Sequence, residues 1–474
     1  MAARDLPEAW PLLGHRSLDA VLAYQQGRVV TVRTFLMDVA RVATSLPDCS
    51  HVLNACTDRY HFAVGLAAAI MRGQVSLLPP SHDPEMVRQM REMHPQVYCL
   101  SERPPVAVDL PLCMYPVRAD GVSTVTAASE PEIPVIKASQ VIACVFTSGS
   151  TGRPTEHVKR WGSLVSNVLA EARRLGLSSS SGHCLVGTVP PQHMYGLEST
   201  VLVAWLSGAA MVAERPFYPA DISAALSALP SPKVLVTTPF HLRTWLAESS
   251  EVPAVGLIVS ATAPLSTPLA QQAESRCGGQ LLEVYGSTET GQLATRRSAQ
   301  TSEWLSFEGL HLTERDGQTW VSGGHVGAPM ALNDVLELRE SASVDAPSAT
   351  RFVLHGRSAD MVNIAGKRTS LGYLNLQLNA IPGVIDGAFL WPEADEADAH
   401  GSVKRLAALV VAPELDPPRL LAALRQRIDP AFMPRPLHFV DALPRNATGK
   451  LPYAAIAELA QRLAAGASTT SKSA

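Results

Sequence analysis

The sequence predicts an α/β protein, with a large N-terminal domain of parallel sheets flanked by helices over residues 1–355 and a small α+β C-terminal domain over 356–474. Three observations predict it. Apolar runs of strand length recur at 141–146, 185–189, 234–236, 256–259 and 281–284, each ending in a polar or glycine-bearing turn. The segments between them, such as 164–175 and 219–229, carry apolar residues at spacings of three and four, as crossover helices do. Past about Leu338 the texture changes to ESASVDAPSAT before a short strand over 351–354, which puts the domain boundary near Gly356.

Composition sets the class. With 46% hydrophobic and 17% charged residues, the 474-residue chain can bury a core without metals or disulfides, and disorder is excluded. The 39 basic and 43 acidic residues leave a net charge of −4, which argues against nucleic acid or an anionic membrane as partner. The seven cysteines (Cys49, Cys56, Cys99, Cys113, Cys144, Cys184 and Cys277) form no CxxC pair and read as buried thiols. The start, MAARDLPEAWPLL, lacks a basic segment followed by a long apolar run, and the apolar stretch 62–71 is too short to span a bilayer. The expectation is a cytoplasmic protein with no membrane span.

In open sheets of this kind ligands bind at the carboxyl ends of strands, so the loops there carry the candidate chemistry. The run 141–146 leads into Thr147-Ser148-Gly149-Ser150-Thr151-Gly152-Arg153-Pro154. Glycines let backbone N–H groups approach a ligand and hydroxyls add donors, a surface suited to polyphosphate, although a plain turn has the same composition. No GxxxxGK[ST] occurs, so this is not a Walker A loop.

TSGSTGRP resembles the phosphate loop of the adenylate-forming superfamily of acyl-CoA synthetases, adenylation domains and luciferases, and further matches follow in that family's order. Pro191-Gln192-His193-Met194-Tyr195-Gly196-Leu197 resembles the segment that lines the acid pocket, which the resemblance extends to Thr238 and Phe240. Ser260-Ala261-Thr262-Ala263-Pro264-Leu265 resembles the adenine-side loop, where small residues let a purine lie flat. Tyr285-Gly286-Ser287-Thr288-Glu289-Thr290-Gly291 supplies an aromatic for adenine, a threonine donor for the α-phosphate and a carboxylate for Mg²⁺. The same string also reads as a capped turn opening a helix. Asp334 resembles the ribose-binding aspartate, and Gly356-Arg357 the start of the interdomain hinge, which implies that the C-terminal domain is mobile. Pro444-Arg445-Asn446-Ala447-Thr448-Gly449-Lys450 resembles the loop that delivers a catalytic lysine, notable in a chain with seven lysines against 32 arginines. A strand over 407–411 and a helix over 418–428 precede it, and a frayed tail is expected from 464.

The pattern departs in places. The lysine that usually follows the loop proline is Thr155, so Lys159 or Arg160 is the candidate replacement, unless the loop uses backbone donors alone. At the hinge, Ala359 followed by Asp360 stands where a charged pivot is common. Tyr453 replaces a basic residue, and the glutamate expected after Gly366-Lys367-Arg368 falls near Tyr373.

Within the superfamily the chain looks most like the aryl-acid AMP ligases of bacterial xanthomonadin and aryl-polyene pigment pathways. That likeness implies ATP- and Mg²⁺-dependent adenylation of a small aromatic carboxylic acid, with a hydroxybenzoic acid such as 3-hydroxybenzoate leading, then transfer to an acyl carrier protein thiol. A CoA ligase for another acid and a catalytically weakened nucleotide-binding partner are the alternatives. Retention of both Glu289 and Lys450 weighs against the latter.

Overall fold

The computed structural model describes residues 7–105, 108–116, 130–148, 154–178, 182–339, 349–357, 360–364, 367–391, 405–446 and 449–470. Among these, two large sheets share one core. A six-stranded sheet runs in the order Pro154–Arg160, Val141–Ser148, Val75–Leu78, His51–Asn54, Val97–Ser101 and Leu112–Met114, parallel except for its first pair. An eleven-stranded sheet has a parallel centre formed by Gln280–Ser287, Leu257–Ser260, Lys233–Thr237, Cys184–Gly187, Ala210–Val212 and Val21–Gln25. Its flanks are antiparallel, through Gly291–Arg296, Glu303–Ser306, Arg351–Arg357 and Asp334–Arg339 on one side and Arg28–Thr31 on the other. The expectation of parallel sheets is corrected at these flanks, where short turns such as 288–290 are too tight for a crossover and return the chain as hairpins.

The parallel strands are buried on both faces, which is why they read as continuous apolar runs. Leu185, Val234 and Val259 point into the core shared with the six-stranded sheet. Val186, Leu235 and Ile258 pack instead on the helices Pro239–Glu248 and Thr267–Cys277, through Leu242, Trp245 and Leu269. The helix Arg59–Met71 (RYHFAVGLAAAIM) is apolar nearly all round because it is buried in the shared core. Its first residue, Arg59, is fully buried and donates to the carbonyls of Val212, Glu214, Gly187 and Val189 at 2.8–3.0 Å. One guanidinium thus satisfies chain ends that leave two parallel strands and fixes the loops beginning there.

Gly356 and Arg357 still pair with Val335 and Asp334 in the large sheet. Beyond them come a hairpin of Met361–Ile364 and Lys367–Ser370, and a three-stranded sheet of Asp386–Leu390, Ala407–Val411 and Leu437–Phe439 with the helices Leu371–Asn379 and Pro417–Arg425. Leu374, Leu378, Leu420 and Leu424 fill a separate core there. The final helix runs Tyr453–Thr470 and takes in residues expected as frayed tail, since its alanines are the strongest helix formers.

This C-terminal part docks on the helix Pro239–Glu248. Arg243 donates to the Ile385 carbonyl at 2.7 Å and to Asn379 Oδ1 at 3.1 Å. Gly449 lies so close that a Cβ on it would stand 3.2 Å from Phe240 Cβ and 3.3 Å from Thr238 Oγ1.

Candidate active site

The register of the parallel strands sets Thr237 beside Ser260 and Ser260 beside Glu283, so the loops after them emerge side by side. Tyr195 spans this row, its hydroxyl within hydrogen-bond reach of the Thr237 carbonyl at 3.1 Å and the Val259 carbonyl at 3.0 Å. Gly196 admits no side chain, because a Cβ there would sit 1.9 Å from the Pro190 carbonyl oxygen. His193, at the start of this short helix, is half-buried, and its pKa is pushed down to about 4 by burial, reinforced by Lys450, Arg215 and His82. It is a neutral imidazole at pH 7.

Thr238 is 1% exposed and caps its helix, with Oγ1 2.9 Å from His241 Nδ1 and accepting from the His241 backbone N–H. Two of its three hydrogen-bonding positions are thereby used within its own helix, which leaves it one. Phe240 is half-buried under the Lys450 loop, with the Arg445 guanidinium 5.9 Å from its ring centroid.

On the nucleotide side, Ser260 Oγ and Thr262 Oγ1 are buried with no partner among the described residues, and Ala261 is buried between them. Thr262 has φ +80, a left-handed conformation unfavourable for a β-branched residue that costs about 1–3 kcal/mol. Backbone strain and two unpartnered hydroxyls thus sit together in the loop expected on the adenine side.

The segment 285–291 is a hairpin turn between Gln280–Ser287 and Gly291–Arg296, not the capped helix start that its composition also allowed. Ser287 Oγ accepts from the Thr290 N–H at 3.2 Å and closes the turn. Gly286 and Gly291 are required: a Cβ on Gly286 would lie 2.4 Å from the Gly291 carbonyl oxygen, and Gly291 has φ +73. Thr288 and Glu289 stand at the tip, half-buried. Burial pushes the Glu289 carboxyl up, but its own backbone N–H, the Ser287 hydroxyl, His157 and Arg357 together hold it below the ordinary value, so it is ionised.

Tyr285 packs its ring on Trp304 and Phe352, at centroid distances of 5.6 and 5.8 Å, and donates its hydroxyl to Asp334 Oδ2 at 2.8 Å. Asp334 lies opposite Arg357 in the strand register. Arg357 and Lys450 both keep solvent access, yet protein surrounds Lys450 closely enough that desolvation and Arg357 lower its pKa, while Glu289 raises it. Lys450 therefore sits within electrostatic range of His193 on one side and Glu289 on the other.

Thr147 and the backbone of Ser148 end the strand Val141–Ser148, while Gly149, Ser150, Thr151 and Gly152 lie outside the described residues, as do Ala359 and Gly366. Thr147 Oγ1 is 2.9 Å from His157 Nε2, which is also 4.0 Å from Glu289 Oε1. Lys159, expected to replace the loop cation, is buried: its ammonium donates to the Thr288 carbonyl and to the Glu289 carbonyl at 3.4 Å. Strand alternation turns Arg160 the other way, onto the Ser139 carbonyl at 2.8 Å. Tyr453 donates its hydroxyl to the Trp391 carbonyl at 2.7 Å.

Sequence reasoning missed His157 and Arg59, and it missed the buried carboxylates Glu171 and Glu198. A visible signal for Glu198 existed in its position inside the apolar run GLESTVLVAWL.

The residues fit a Mg²⁺ ion that arrives with a nucleotide. Glu289 offers one ionised carboxylate at an accessible tip, and the described residues contain no group of three or more His, Cys, Asp or Glu able to cage a metal. Magnesium commonly binds through one or two carboxylates plus substrate phosphates.

Comparison with known proteins is consistent over most of the chain. Residues 15–344 match the model of the family described as AMP-binding enzyme. A 4-coumarate–CoA ligase of Rhodobacter capsulatus is 31% identical over 317 residues, covering 66% of this chain and 75% of that protein. The o-succinylbenzoate CoA synthetase MenE of Bacillus subtilis, solved with ATP and magnesium, superposes with a TM-score of 0.76 at 17% identity over 94% of this chain and 99% of that one. The anthranilate CoA ligase AuaEII, solved with anthranoyl-AMP, gives 0.74 at 15% identity over 98% and 99%.

Proposed function

Since the chain belongs to the AMP-binding enzyme family and is an AMP-forming acid–thiol ligase, we propose that it activates a small aromatic carboxylic acid, with a hydroxybenzoic acid such as 3-hydroxybenzoate leading, and passes it to an acyl carrier protein thiol. The observation that carries this reading is the position of Lys450. Its charge lowers the pKa of His193, beside the acid loop, while Glu289, on the nucleotide side, raises that of Lys450 itself, and its loop packs at Gly449 against Phe240 and Thr238.

The chemistry follows from charge. A carboxylate repels nucleophiles and has no adequate leaving group, and conversion to an acyl adenylate supplies one. The attacking carboxylate and the triphosphate are both anions, so the barrier is lowered by cations aimed at the α-phosphorus as the fifth bond forms. Lys450 supplies one such cation, and Thr288 a neutral donor. Glu289 would hold Mg²⁺, and the ion would supply positive charge for the pyrophosphate leaving group. Asp334 and Arg357 receive the ribose hydroxyls, with Tyr285 holding Asp334 in place. Thr147 and the loop 148–152 receive the outer phosphates. No general base is required, because the acid enters ionised. In the second half-reaction a thiolate attacks the adenylate carbonyl and AMP leaves.

An aryl acid is supported by the 4-coumarate–CoA ligase relative and by the residues at the acid loop. Phe240 and Tyr195 offer aromatic walls, and neutral His193 offers one ring nitrogen to a substrate hydroxyl that would cost about 1–3 kcal/mol if buried unpaired. Thr238, with one hydrogen-bonding position left beyond its bonds to His241, is the second candidate for that hydroxyl.

The test is pyrophosphate exchange with benzoate, its three hydroxy isomers, anthranilate, 4-coumarate and octanoate, followed by coenzyme A and phosphopantetheinylated carrier protein as acceptors. The highest kcat/KM is expected for a hydroxybenzoate, with the carrier protein as the better acceptor. Preference for octanoate would overturn the aryl assignment, and faster transfer to coenzyme A would make this a CoA ligase.

A further inference from the structure

Behind the Thr288–Glu289 turn lies a buried polar network that the adenylation chemistry does not use. Lys159, 9% exposed, reaches the carbonyls of Thr288 and Glu289 from the strand Pro154–Arg160. Glu198, 2% exposed, comes from the π-helical turn Leu197–Leu202 and accepts from Asn167 Nδ2 at 3.0 Å. Both lie against the base of the hairpin: a Cβ on Gly291 would stand 2.2 Å from Asn167 Nδ2 and 3.4 Å from Glu198 Oε1. The next residue, Ser199, accepts from Gln292 Nε2 at 2.9 Å and donates to Glu171 Oε1 at 2.6 Å. Burial pushes the Glu198 carboxyl up to about 8 and pulls the Lys159 ammonium down, and each group partly offsets that shift in the other.

The two ends of this network belong to different ligands. The π-helical turn follows without a break from the short helix Met194–Gly196, which carries the acid loop. Its Ser199 holds Gln292 and its Glu198 packs against Gly291, immediately after the turn that presents Glu289. Lys159 closes the other side by holding the two carbonyls at the tip. Packed and hydrogen-bonded groups therefore run from the acid loop to the turn that presents Glu289. π-helical turns inside helices occur often at functional sites.

We propose that Lys159 and Glu198 are positioning residues that join the acid loop to the Thr288–Glu289 turn, so that filling the acid pocket and binding Mg²⁺–ATP reinforce each other. The inference rests on the reading of 193–196 as the acid side and of Glu289 as the metal side. It assigns Lys159 to the protein rather than to a phosphate.

The test uses the full chain and the acid giving the fastest pyrophosphate exchange. Binding of Mg²⁺ with α,β-methylene-ATP is titrated with and without that acid, and the ratio of the two Kd values is the coupling. Such couplings are typically about 5- to 150-fold, and the parent is expected to fall in that range. Glu198→Gln keeps the volume and the bond from Asn167 while removing the ionisable carboxyl, with the titrations run at pH 8.5 where the parent group is largely ionised, and Lys159→Met removes the bonds to the turn. Both are expected to bring the ratio towards one at a thermal midpoint close to the parent's, and Lys159→Arg to restore part of it. If Lys159→Met fails to fold, Glu198→Gln decides. Exchange activity with an unchanged ratio in folded Glu198→Gln, or with a ratio of one in the parent, overturns this inference alone. Absence of exchange with every acid overturns the functional reading and this inference with it.

Discussion

Arg445 holds Asp386 through two parallel hydrogen bonds, Nε to Oδ2 at 2.6 Å and Nη2 to Oδ1 at 2.7 Å, and its Nη1 reaches the Gly449 carbonyl at 2.7 Å. The loop bearing Lys450 is thereby tied to the first strand of the C-terminal sheet. Lysine at 445 would keep the charge and lose the fork. Arg445→Lys is expected to slow pyrophosphate exchange by as much as about a hundredfold, since misplacement of a catalytic group by an ångström costs that much. ATP affinity, read by calorimetry, should stay near the parent value. Equal exchange rates would show that the loop is held by other contacts.

Lys450→Ala should separate binding from turnover. A cation acting mainly on charge that develops in the transition state contributes about 3 kcal/mol, or a hundredfold or more in rate. Exchange should fall by that factor with the Kd for ATP little changed. Unchanged exchange would remove Lys450 from the chemistry.

Glu289→Gln replaces an ionised ligand for a hard cation by an amide oxygen. The Mg²⁺ concentration for half-maximal exchange should rise while the thermal midpoint holds, because the turn is closed by Ser287 and the two glycines rather than by Glu289. Superimposable Mg²⁺ titrations would leave Glu289 with no role at the metal.

Glu171 gives a pH-dependent stability. It is fully buried, and burial raises its pKa from 4.5 to about 7 against the opposing hydrogen bonds of Ser199 and Gln292. Between pH 4.5 and 7 the folded state keeps a proton that the unfolded chain has lost. The stabilisation is complete below pH 4.5 and lost as pH rises through 7, a change of about 3 kcal/mol. Glu171→Gln cannot ionise, so its thermal midpoint should fall less between pH 5 and 8 than the parent's, with Glu198 leaving a residual slope. Parallel midpoint curves would show that Glu171 does not titrate in this range.

Much of this protein was legible in the sequence. The strands at 141–148, 184–187, 233–237, 257–260 and 280–287 announced themselves because burial on both faces demands uninterrupted apolar runs, and the loops after them because glycines and hydroxyls cluster where those runs end. Local chemistry also marked Glu289 and Lys450, a carboxylate and a rare lysine in glycine-bearing turns. Pairing partners were beyond its reach. The hairpin at 285–291 is closed locally by Ser287 and its glycines, but its packing against Asn167 and Glu198 brings together residues more than 90 positions apart. The occupation of Thr238 by His241 depends on helix geometry, and the turning of Lys159 inward on which face of its strand meets the hairpin. A residue type states what a side chain can do, while its neighbours in space, set by packing between distant segments, decide which of those things it does.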